Sequence, residues 1–337
     1  MMYEREMTVL SRYELNITKI SRTRGAFLCE AESGECFLLR ECTVSAGRLF
    51  REAACLEALE RQGVAVDRPL ANTDGEMITQ GEDGRDYYVR SWQIGREINA
   101  ESREDIGEAL MLLGRLHVAM QASEEAEKLL MESVRQQPED GQKHSQSPMP
   151  VLADLQRHNR ELRRAASYIR RKRQKSDKER LILQGIRQYL PEAESALQAL
   201  EAMKPLPLQL CHGSYTHHKV IRRPGGCRIV DFSNIRIDVP LEDLCLIVRK
   251  LMEKWQWRDD IGRYLLESYE TVRPLGREER RYLAFRLRYP EKFWKQVNFY
   301  FNGGRMPLGG NSSYKLERLM ELHGAKERFI DRLEARC

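Results

Sequence analysis

The sequence contains no long apolar run. No stretch approaches the roughly 20 apolar residues that a membrane-spanning helix needs. The first residues, Met1 to Glu6, contain no apolar core of the kind that directs secretion. We therefore expect neither membrane insertion nor export through a signal peptide.

The cysteines form no metal-binding pattern. The eight cysteines make no Cys-x-x-Cys motif and no cluster with histidine, and such patterns are typical of structural zinc sites. Most of them lie in apolar contexts, where a free thiol acts as a small hydrophobic side chain. The sequence predicts reduced cysteines and no structural zinc.

Positive charge is concentrated in one segment. The net charge is +5, but residues 157–180 hold eleven lysines and arginines against three acidic residues, which leaves −3 for the rest of the chain. A basic helix of this kind could bind nucleic acid or an acidic partner. Because no aromatic stacking platform or known nucleic-acid motif accompanies it, we expect a solvated or protein-docking surface and no nucleic-acid partner.

The order of the expected elements predicts an α+β fold. At 337 residues the chain is long for one core, so two lobes or domains are expected. The N-terminal part alternates as three strands, one helix and two strands, at 14–20, 26–31, 36–42, 46–62, 76–80 and 86–92. From about Ser102 the pattern is helical, with helices expected from 102 onward and over 151–175, 176–203, 240–254, 259–271, 277–288, 290–301 and 313–335. The polar, proline-containing stretch 136–150 predicts a flexible loop.

One hairpin stands out as the candidate site. It reads as a strand, a tight loop and a second strand through Cys211-His-Gly-Ser-Tyr-Thr-His-His-Lys219, and as a third strand ending on Asp231 in Arg228-Ile-Val-Asp-Phe-Ser233. A Pro224-Gly225-Gly226 turn joins the second and third strands. Loops held at strand ends by a rigid hairpin are frequent positions for catalytic groups.

This hairpin resembles the catalytic and metal loops of the aminoglycoside-phosphotransferase and choline-kinase group. That group carries His-Gly-Asp, then Asn after four residues, then an Asp-Phe or Asp-Trp pair. The resemblance implies a two-lobed protein-kinase-like fold, with a small antiparallel N-lobe sheet plus one helix and a larger helical C-lobe. It further implies an N-lobe over 1–92, a hinge over 93–100 and a C-lobe over 101–337, with degenerate catalytic and metal loops within 208–233.

Two of the three polar anchors of this pattern are changed here. His212 and Asp231 match the pattern, but Ser214 stands at the catalytic-base position and Lys219 at the metal-binding asparagine position. A serine hydroxyl is neutral near pH 7 and cannot act as a base by itself. Magnesium prefers oxygen ligands, and Lys219 substitutes a cation for one. We expect Lys219 to pair with Asp231, the only retained metal-ligand position; the alternative is that Lys219 extends to solvent.

The remaining site candidates are weaker matches to a kinase. Strand 36–42 offers Arg40 where the resemblance implies a phosphate-anchoring lysine, with Glu52 or Glu57 as its acidic partner or simply as helix-surface acids. His217 could substitute as a base, although a loop histidine bonded to backbone or solvent is the alternative. We therefore expect no cofactor if the site is silent, and ATP with Mg²⁺ if it is active.

A second resemblance covers nearly the whole chain. The string Tyr289-Pro-Glu-Lys-Phe-Trp-Lys295, the segment Asn298 to Asn302, the hinge sequence from Tyr87 and the His212-Gly213 loop are similar to CotS-type spore coat proteins. This resemblance implies synthesis in the mother-cell cytoplasm, a location in the coat of bacterial endospores, and other spore coat proteins as partners.

Three functions follow from these observations. The first is a catalytically inactive kinase-like protein, a pseudokinase, with a structural or interaction role in coat assembly. The second is an active small-molecule or protein kinase with a rebuilt site. The third, least favoured, is nucleic-acid binding through the basic segment 157–180.

Overall fold

A six-stranded antiparallel sheet forms the N-terminal part of the chain. The computed structural model describes residues 4–23, 25–124, 128, 149, 151–302 and 311–336. The sheet order is β1-β2-β3-β6-β4, with β5 also paired to β6. Its strands are β1 Ile17–Thr23, β2 Ala26–Ala31, β3 Cys36–Glu41, β4 Pro69–Leu70, β5 Thr79–Gln80 and β6 Asp86–Trp92.

A short helix and the sheet share one apolar core. Helix α1, Glu4–Leu10, contributes Val9 and Leu10, which are buried with Leu39 of β3 and Val89 of β6. Leu39 and Val89 lie opposite each other in the β3–β6 register, so their side chains lie on the same face of the sheet. Neither α1 nor β4 was predicted from the sequence.

The predicted helix of this part is α2, Ala46–Arg61. It begins where the Ser45 hydroxyl accepts a hydrogen bond from the Arg48 amide, which satisfies one of the free donors of the first turn. The chain leaves the helix through Gly63 at φ +84°, a conformation that glycine adopts without steric cost. This agrees with the glycine stop that the sequence indicates.

The candidate hairpin is built from short antiparallel strands. The strand β8, Gln209–Cys211, pairs with β11, Arg236–Asp238, while β9, Val220–Arg223, pairs with β10, Gly226–Ile229. A single 3₁₀ turn, His217–Lys219, precedes β9. The unpredicted strand β7, Arg96–Glu97, adds to the free edge of β9.

The C-terminal part is helical, as predicted. Its helices are α3 Arg103–Gln121, α4 Val151–Arg171, α5 Asp177–Glu201, α6 Leu241–Lys254, α7 Asp259–Glu270, α8 Arg277–Arg288, α9 Glu291–Asn302, α10 Asn311–Glu321 and α11 His323–Glu334. Pro191 lies within α5 rather than beginning a new helix. The single helix expected over 313–335 is wrong, because the chain forms two helices there, divided at Leu322. None of the described helices is both long and apolar enough to cross a membrane.

The chain divides into two compact units. The first comprises Met1–Lys143, Leu208–Leu246 and Ser268–Arg273, and the second comprises His144–Pro207, Ile247–Glu267 and Pro274–Cys337. This division differs from the expected lobes, whose boundaries near 92 and 100 stay a prediction. The expected flexible loop at 136–150 lies outside the described residues, apart from Met149.

The Tyr289 to Lys295 string is a packing element of the second unit. Tyr289, Phe293 and Trp294 are buried, and the Tyr289 hydroxyl donates to the Asn159 side chain at 2.7 Å. Gly185 on α5 leaves room for the Phe293 ring, because a β-carbon there would lie 2.4 Å from it. The string therefore joins α9 to α4 and α5 through the core.

Candidate active site

His212 is a buried, structural member of the catalytic-type loop. Its ring is fully buried beside Phe232, with ring centroids 4.9 Å apart, and its Nε2 lies 3.3 Å from the Val230 carbonyl oxygen. Burial lowers the pKa of His212, which keeps the ring neutral near pH 7. The ring can therefore donate to Val230 and connect the catalytic loop to the strand that leads to Asp231.

The side chain of Asp243 binds the backbone of the same loop. Its carboxylate accepts hydrogen bonds from the backbone amides of His212, at 2.8 Å, and Tyr215, at 3.5 Å. Burial alone would raise the pKa of Asp243, but its interactions with His117 and His212 outweigh this and lower the pKa below the usual value. The segment Pro240 to Leu244 thus supports the loop through backbone amides.

Gly213 gives the loop its tight turn. Its φ is +76°, and a β-carbon at this position would lie 2.1 Å from the carbonyl oxygen of Asn234. Both the backbone conformation and the close backbone approach require glycine. The turn brings Ser214 next to the segment that follows Asp231.

Ser214, at the catalytic-base position, has weak polar contacts. Its hydroxyl lies 3.5 Å from His212 Nδ1 and 3.4 Å from the Asn234 amide nitrogen, which donates to it. Neither neighbour is a carboxylate, His212 Nδ1 already accepts a hydrogen bond from the Ser214 backbone amide at 3.3 Å, and burial lowers the pKa of His212, which weakens its ring as a base. The contacts of Ser214 therefore supply no strong base to take its proton.

Asp231 is held by cations on both of its carboxylate oxygens. Arg40 donates to Oδ1 at 3.1 Å, Ser233 donates to the same oxygen at 2.7 Å, and Lys219 donates to Oδ2. Burial would raise the pKa of Asp231, but Arg40, Lys219 and Ser233 together hold it far below its usual value. The predicted pairing of Lys219 with Asp231 is confirmed, and Arg40 is a second, unpredicted partner.

The backbone at Asp231 is in an uncommon conformation. Its φ is +64°, which lies in the left-handed region where few residues other than glycine occur, although aspartate and asparagine are enriched there. Such residues concentrate at functional sites, where the surrounding structure maintains the strain. This backbone conformation therefore determines the direction of the Asp231 side chain.

Glu52, one of the two candidate partners of Arg40, pairs with a different arginine. Glu52 instead accepts a hydrogen bond from Arg90 Nη1 at 2.8 Å, inside the first unit. Arg90 is completely buried and also donates from Nε to Asp67 at 2.7 Å. A fully buried guanidinium needs such partners, and it takes one of the two carboxylates that were candidate partners of Arg40.

Arg90 and Asp67 were missed by sequence analysis. Asp67 also accepts a hydrogen bond from the Phe232 amide at 3.3 Å, one residue after Asp231. The pair therefore connects strand β6 of the N-terminal sheet to the metal-type loop. A signal was present, because Arg90 interrupts an apolar strand and a charge within a buried strand requires a counter-charge.

The two loop histidines differ in burial. His217 is buried in the 3₁₀ turn, with its ring centroid 3.9 Å from that of His218. His218 is exposed, and its Nδ1 lies 2.7 Å from the Glu97 carboxylate. The role of His217 as a substitute base stays a prediction, as does Glu57 as an acid of the nucleotide site.

The residues at the expected metal position do not fit magnesium. Magnesium requires oxygen ligands in near-octahedral geometry. Both oxygens of Asp231 already bind cationic side chains, and Lys219 stands in the sequence where the resemblance implies a second oxygen ligand. A divalent ion would have to displace Lys219 and share the carboxylate with Arg40.

The family of this fold follows from a comparison of sequence families. The family model described as "Phosphotransferase enzyme family" matches residues 21–283. The chain belongs to the phosphotransferase enzyme family. A comparison with curated protein sequences found no match.

Solved structures place this phosphotransferase-family chain in a kinase-like fold. An aminoglycoside phosphotransferase from Alicyclobacillus acidocaldarius is 17% identical, with a TM-score of 0.78 over 98% of this chain and 95% of that chain. Spectinomycin phosphotransferase, in its AMP-bound complex, is 11% identical, with a TM-score of 0.64 over 95% and 96%. Amicoumacin kinase, in complex with AMP-PNP and Ca²⁺, is 13% identical, with a TM-score of 0.61 over 98% and 94%. These similarities establish the fold, which confirms the fold predicted from the sequence.

Proposed function

We propose that this chain is a catalytically silent member of the phosphotransferase family, with a structural or interaction role in the bacterial endospore coat. The observation that carries the first half of the proposal is the ion cluster of Arg40, Lys219 and Asp231. In this cluster, side-chain cations take the place that a metal ion has in a phosphotransferase. The loop is therefore held together without a nucleotide.

The electrostatics support a silent site. Two unit charges 4 Å apart interact by about 4 kcal/mol at an effective dielectric constant of 20, so a divalent ion near an ammonium group is repelled by roughly twice that. Lys219 could relieve this repulsion only by leaving Asp231, which would break an ion pair that is largely shielded from solvent. Phosphoryl transfer depends mainly on positioning and charge neutralisation, and both need the metal here.

The coat role rests on the resemblance to CotS-type proteins and is independent of the silent site. The residues that carry it are the Tyr289 to Lys295 string and the hinge sequence from Tyr87. The aromatic residues of the string lie in the core of the second unit, so they support common descent and do not themselves form a binding surface. Synthesis in the mother cell and contact with other coat proteins are parts of this proposal.

An active phosphotransferase with a rebuilt site is the second candidate. It is favoured by the retention of Asp231 and by the uncommon backbone conformation that fixes its side chain. On this alternative, the chain binds ATP and Mg²⁺ after Lys219 moves away, and His217 or a substrate group takes the proton. The two candidates differ in what the purified chain does with nucleotide.

The test of the silent site is a nucleotide titration of the full chain with and without Mg²⁺. We expect little change in Tm with Mg-ATP, because a ligand stabilises only a state that it binds. The double variant S214D/K219N should gain a Mg²⁺-dependent rise in Tm, since it restores a carboxylate at the catalytic-base position and an oxygen ligand at the metal-binding position. The matched control S33D/K19N makes the same substitutions at exposed positions and should gain nothing.

Catalytic turnover by the purified chain would contradict the proposal of a silent site. If the unmodified chain hydrolyses ATP or transfers phosphate, and D231N abolishes that activity, the second candidate replaces the first. The coat role needs its own measurement, which is detection of the chain in coat extracts from spores of the source bacterium. A chain found in growing cells and absent from coat extracts would contradict the coat role and leave the silent site untouched.

A further inference from the structure

A mixed cluster of one histidine and two glutamates lies in the second unit, built by two helices. Glu192 lies on α5, one residue after Pro191, while His323 and Glu327 lie on α11. Each residue offers one ligand atom, and these atoms lie within 4.8 Å of one another. The cluster contains none of the residues of the phosphotransferase-type site.

The helix geometry brings the three side chains together. His323 and Glu327 are four residues apart, so they lie on the same face of α11. His323 Nε2 lies 3.0 Å from Glu192 Oε1, which joins the two helices. The Tyr189 ring packs edge-on against the His323 ring, with centroids 5.3 Å apart, and restricts its orientation.

Each of the three side chains has one buried polar atom without a hydrogen-bond partner among the described residues. These atoms are Glu192 Oε2, His323 Nδ1 and Glu327 Oε1. Buried polar atoms in folded proteins are nearly always paired, so each exception calls for an explanation. Three exceptions in one cluster of metal-ligand residue types share one simple explanation, which is a bound cation.

We propose that Glu192, His323 and Glu327 bind a first-row divalent metal ion of the zinc type. An imidazole nitrogen and two carboxylate oxygens are ligands that suit Zn²⁺, and three protein ligands leave a position for water. With bonds of about 2.1 Å and tetrahedral angles, ligand atoms are roughly 3.4 Å apart. Since the ligand atoms already lie within 4.8 Å, small side-chain rotations suffice.

The neighbouring cations lie within electrostatic range of the cluster, but they do not hold its unpaired atoms. Lys326 donates to the Arg288 carbonyl oxygen at 2.7 Å, and Arg288 Nε lies 3.9 Å from Glu327 Oε2. Neither makes a hydrogen bond to the unpaired oxygens of Glu192 and Glu327. This differs from Asp231, where side-chain cations hold both oxygens. A metal ion bound here would fasten the C-terminal helix α11 to α5.

The pattern of cysteines could not reveal this cluster, because it contains no cysteine. The expectation of no structural zinc rested on cysteine motifs alone. The useful signal is the His323-x-x-x-Glu327 spacing on one helix face, which becomes informative only when a third ligand from another helix is known.

The test is Zn²⁺ binding by the full chain after removal of metals with a chelator. Calorimetry and measurement of bound metal should give one Zn²⁺ per chain assigned to this cluster, with a rise in Tm of a few degrees at saturation. The variants E327Q and E192Q should each bind this Zn²⁺ at least about tenfold more weakly, so that the site stays largely empty at the concentration that just saturates the unmodified chain. Mg²⁺ should bind far more weakly, because it prefers all-oxygen sites.

The matched control is E194Q, which removes an exposed carboxylate from the same helix α5. It should bind Zn²⁺ like the unmodified chain. A glutamine variant counts as folded if its circular dichroism spectrum and its Tm in the presence of chelator equal those of the unmodified chain. The proposal is overturned if the unmodified chain shows no saturable Zn²⁺ binding, or if a folded glutamine variant keeps the same stoichiometry and Tm rise.

Discussion

Lys219 and Asp231 form a direct ion pair within the candidate hairpin. The lysine is the last residue of a 3₁₀ turn, and the aspartate follows β10, so the hairpin itself brings the two side chains together. Arg40 joins from β3 and neutralises the other carboxylate oxygen. The pair is thus part of a three-residue cluster within the first unit, and its removal has measurable consequences.

The substitution Asp231→Asn should destabilise the chain. It leaves Arg40 and Lys219 facing a neutral amide, and the carboxylate that it removes is only 9% exposed. We expect a loss of about 2–3 kcal/mol near pH 7, below the 3–5 kcal/mol of a fully buried pair because both cations are partly exposed. Urea denaturation measures the difference in unfolding free energy.

The pH dependence of that difference has a definite sign. The pKa of Asp231 is lowered by folding, so its contribution is fully present above the unfolded-state pKa of about 4 and is lost as the pH falls below it. The gap between D231N and the unmodified chain should therefore be constant above about pH 5 and shrink in stronger acid. The control D74N removes an exposed partner of Arg12 and should cost less than about 1 kcal/mol. A gap that persists unchanged at pH 3 would contradict this account.

Arg90→Met should be among the most destabilising single changes in the N-terminal sheet. Methionine matches much of the arginine volume, but it leaves the carboxylates of Glu52 and Asp67 buried without their cation. Breaking a buried ion pair from one side costs about 3–5 kcal/mol. Thermal or urea unfolding measures the loss.

The control for this change is Arg85→Met on the same part of the chain. Arg85 is 60% exposed and pairs with Glu41, so its loss should cost less than about 1 kcal/mol. Equal effects of the two substitutions would mean that the buried cluster contributes no more than a surface pair.

Gly213→Ala and Gly225→Ala separate steric clash from backbone strain. Both glycines have positive φ, and an alanine there costs about 1–2 kcal/mol. Only at Gly213 would the added carbon meet a backbone oxygen, at 2.1 Å, whereas Gly225 has open space. We expect G213A to lose at least about 2 kcal/mol more than G225A in unfolding free energy. Similar losses would show that the loop moves freely away from Asn234.

The sequence predicted the fold well because its local patterns agree with the structure. Strands β2, β3 and β6 and helix α2 lie within a residue or two of the predicted bounds, since alternation and capping signals are strong there. The first strand was expected at 14–20 and lies at Ile17–Thr23. The strands β4 and β7 have two residues each, and such short strands depend on pairing with distant partners that no local pattern encodes.

The site was predicted in part, for a physical reason. Lys219 and Asp231 were paired correctly because the family resemblance places both residues at metal-ligand positions, which implies that their side chains lie close together. The pairing of Glu52 with Arg90 was not among the expected alternatives, because Arg90 comes from a strand whose burial is set by tertiary packing. Matching opposite charges in the sequence cannot decide which of two arginines pairs with a given carboxylate, because the sequence does not show which arginine is buried.

The burial of Tyr289, Phe293 and Trp294 has a practical consequence. A serum raised against that peptide should recognise the denatured polypeptide and ignore the native one. Chains that share the string are expected to share this part of the packed core, while their surface residues can differ. The string is therefore a marker of common descent, and it does not indicate which partners the proteins bind.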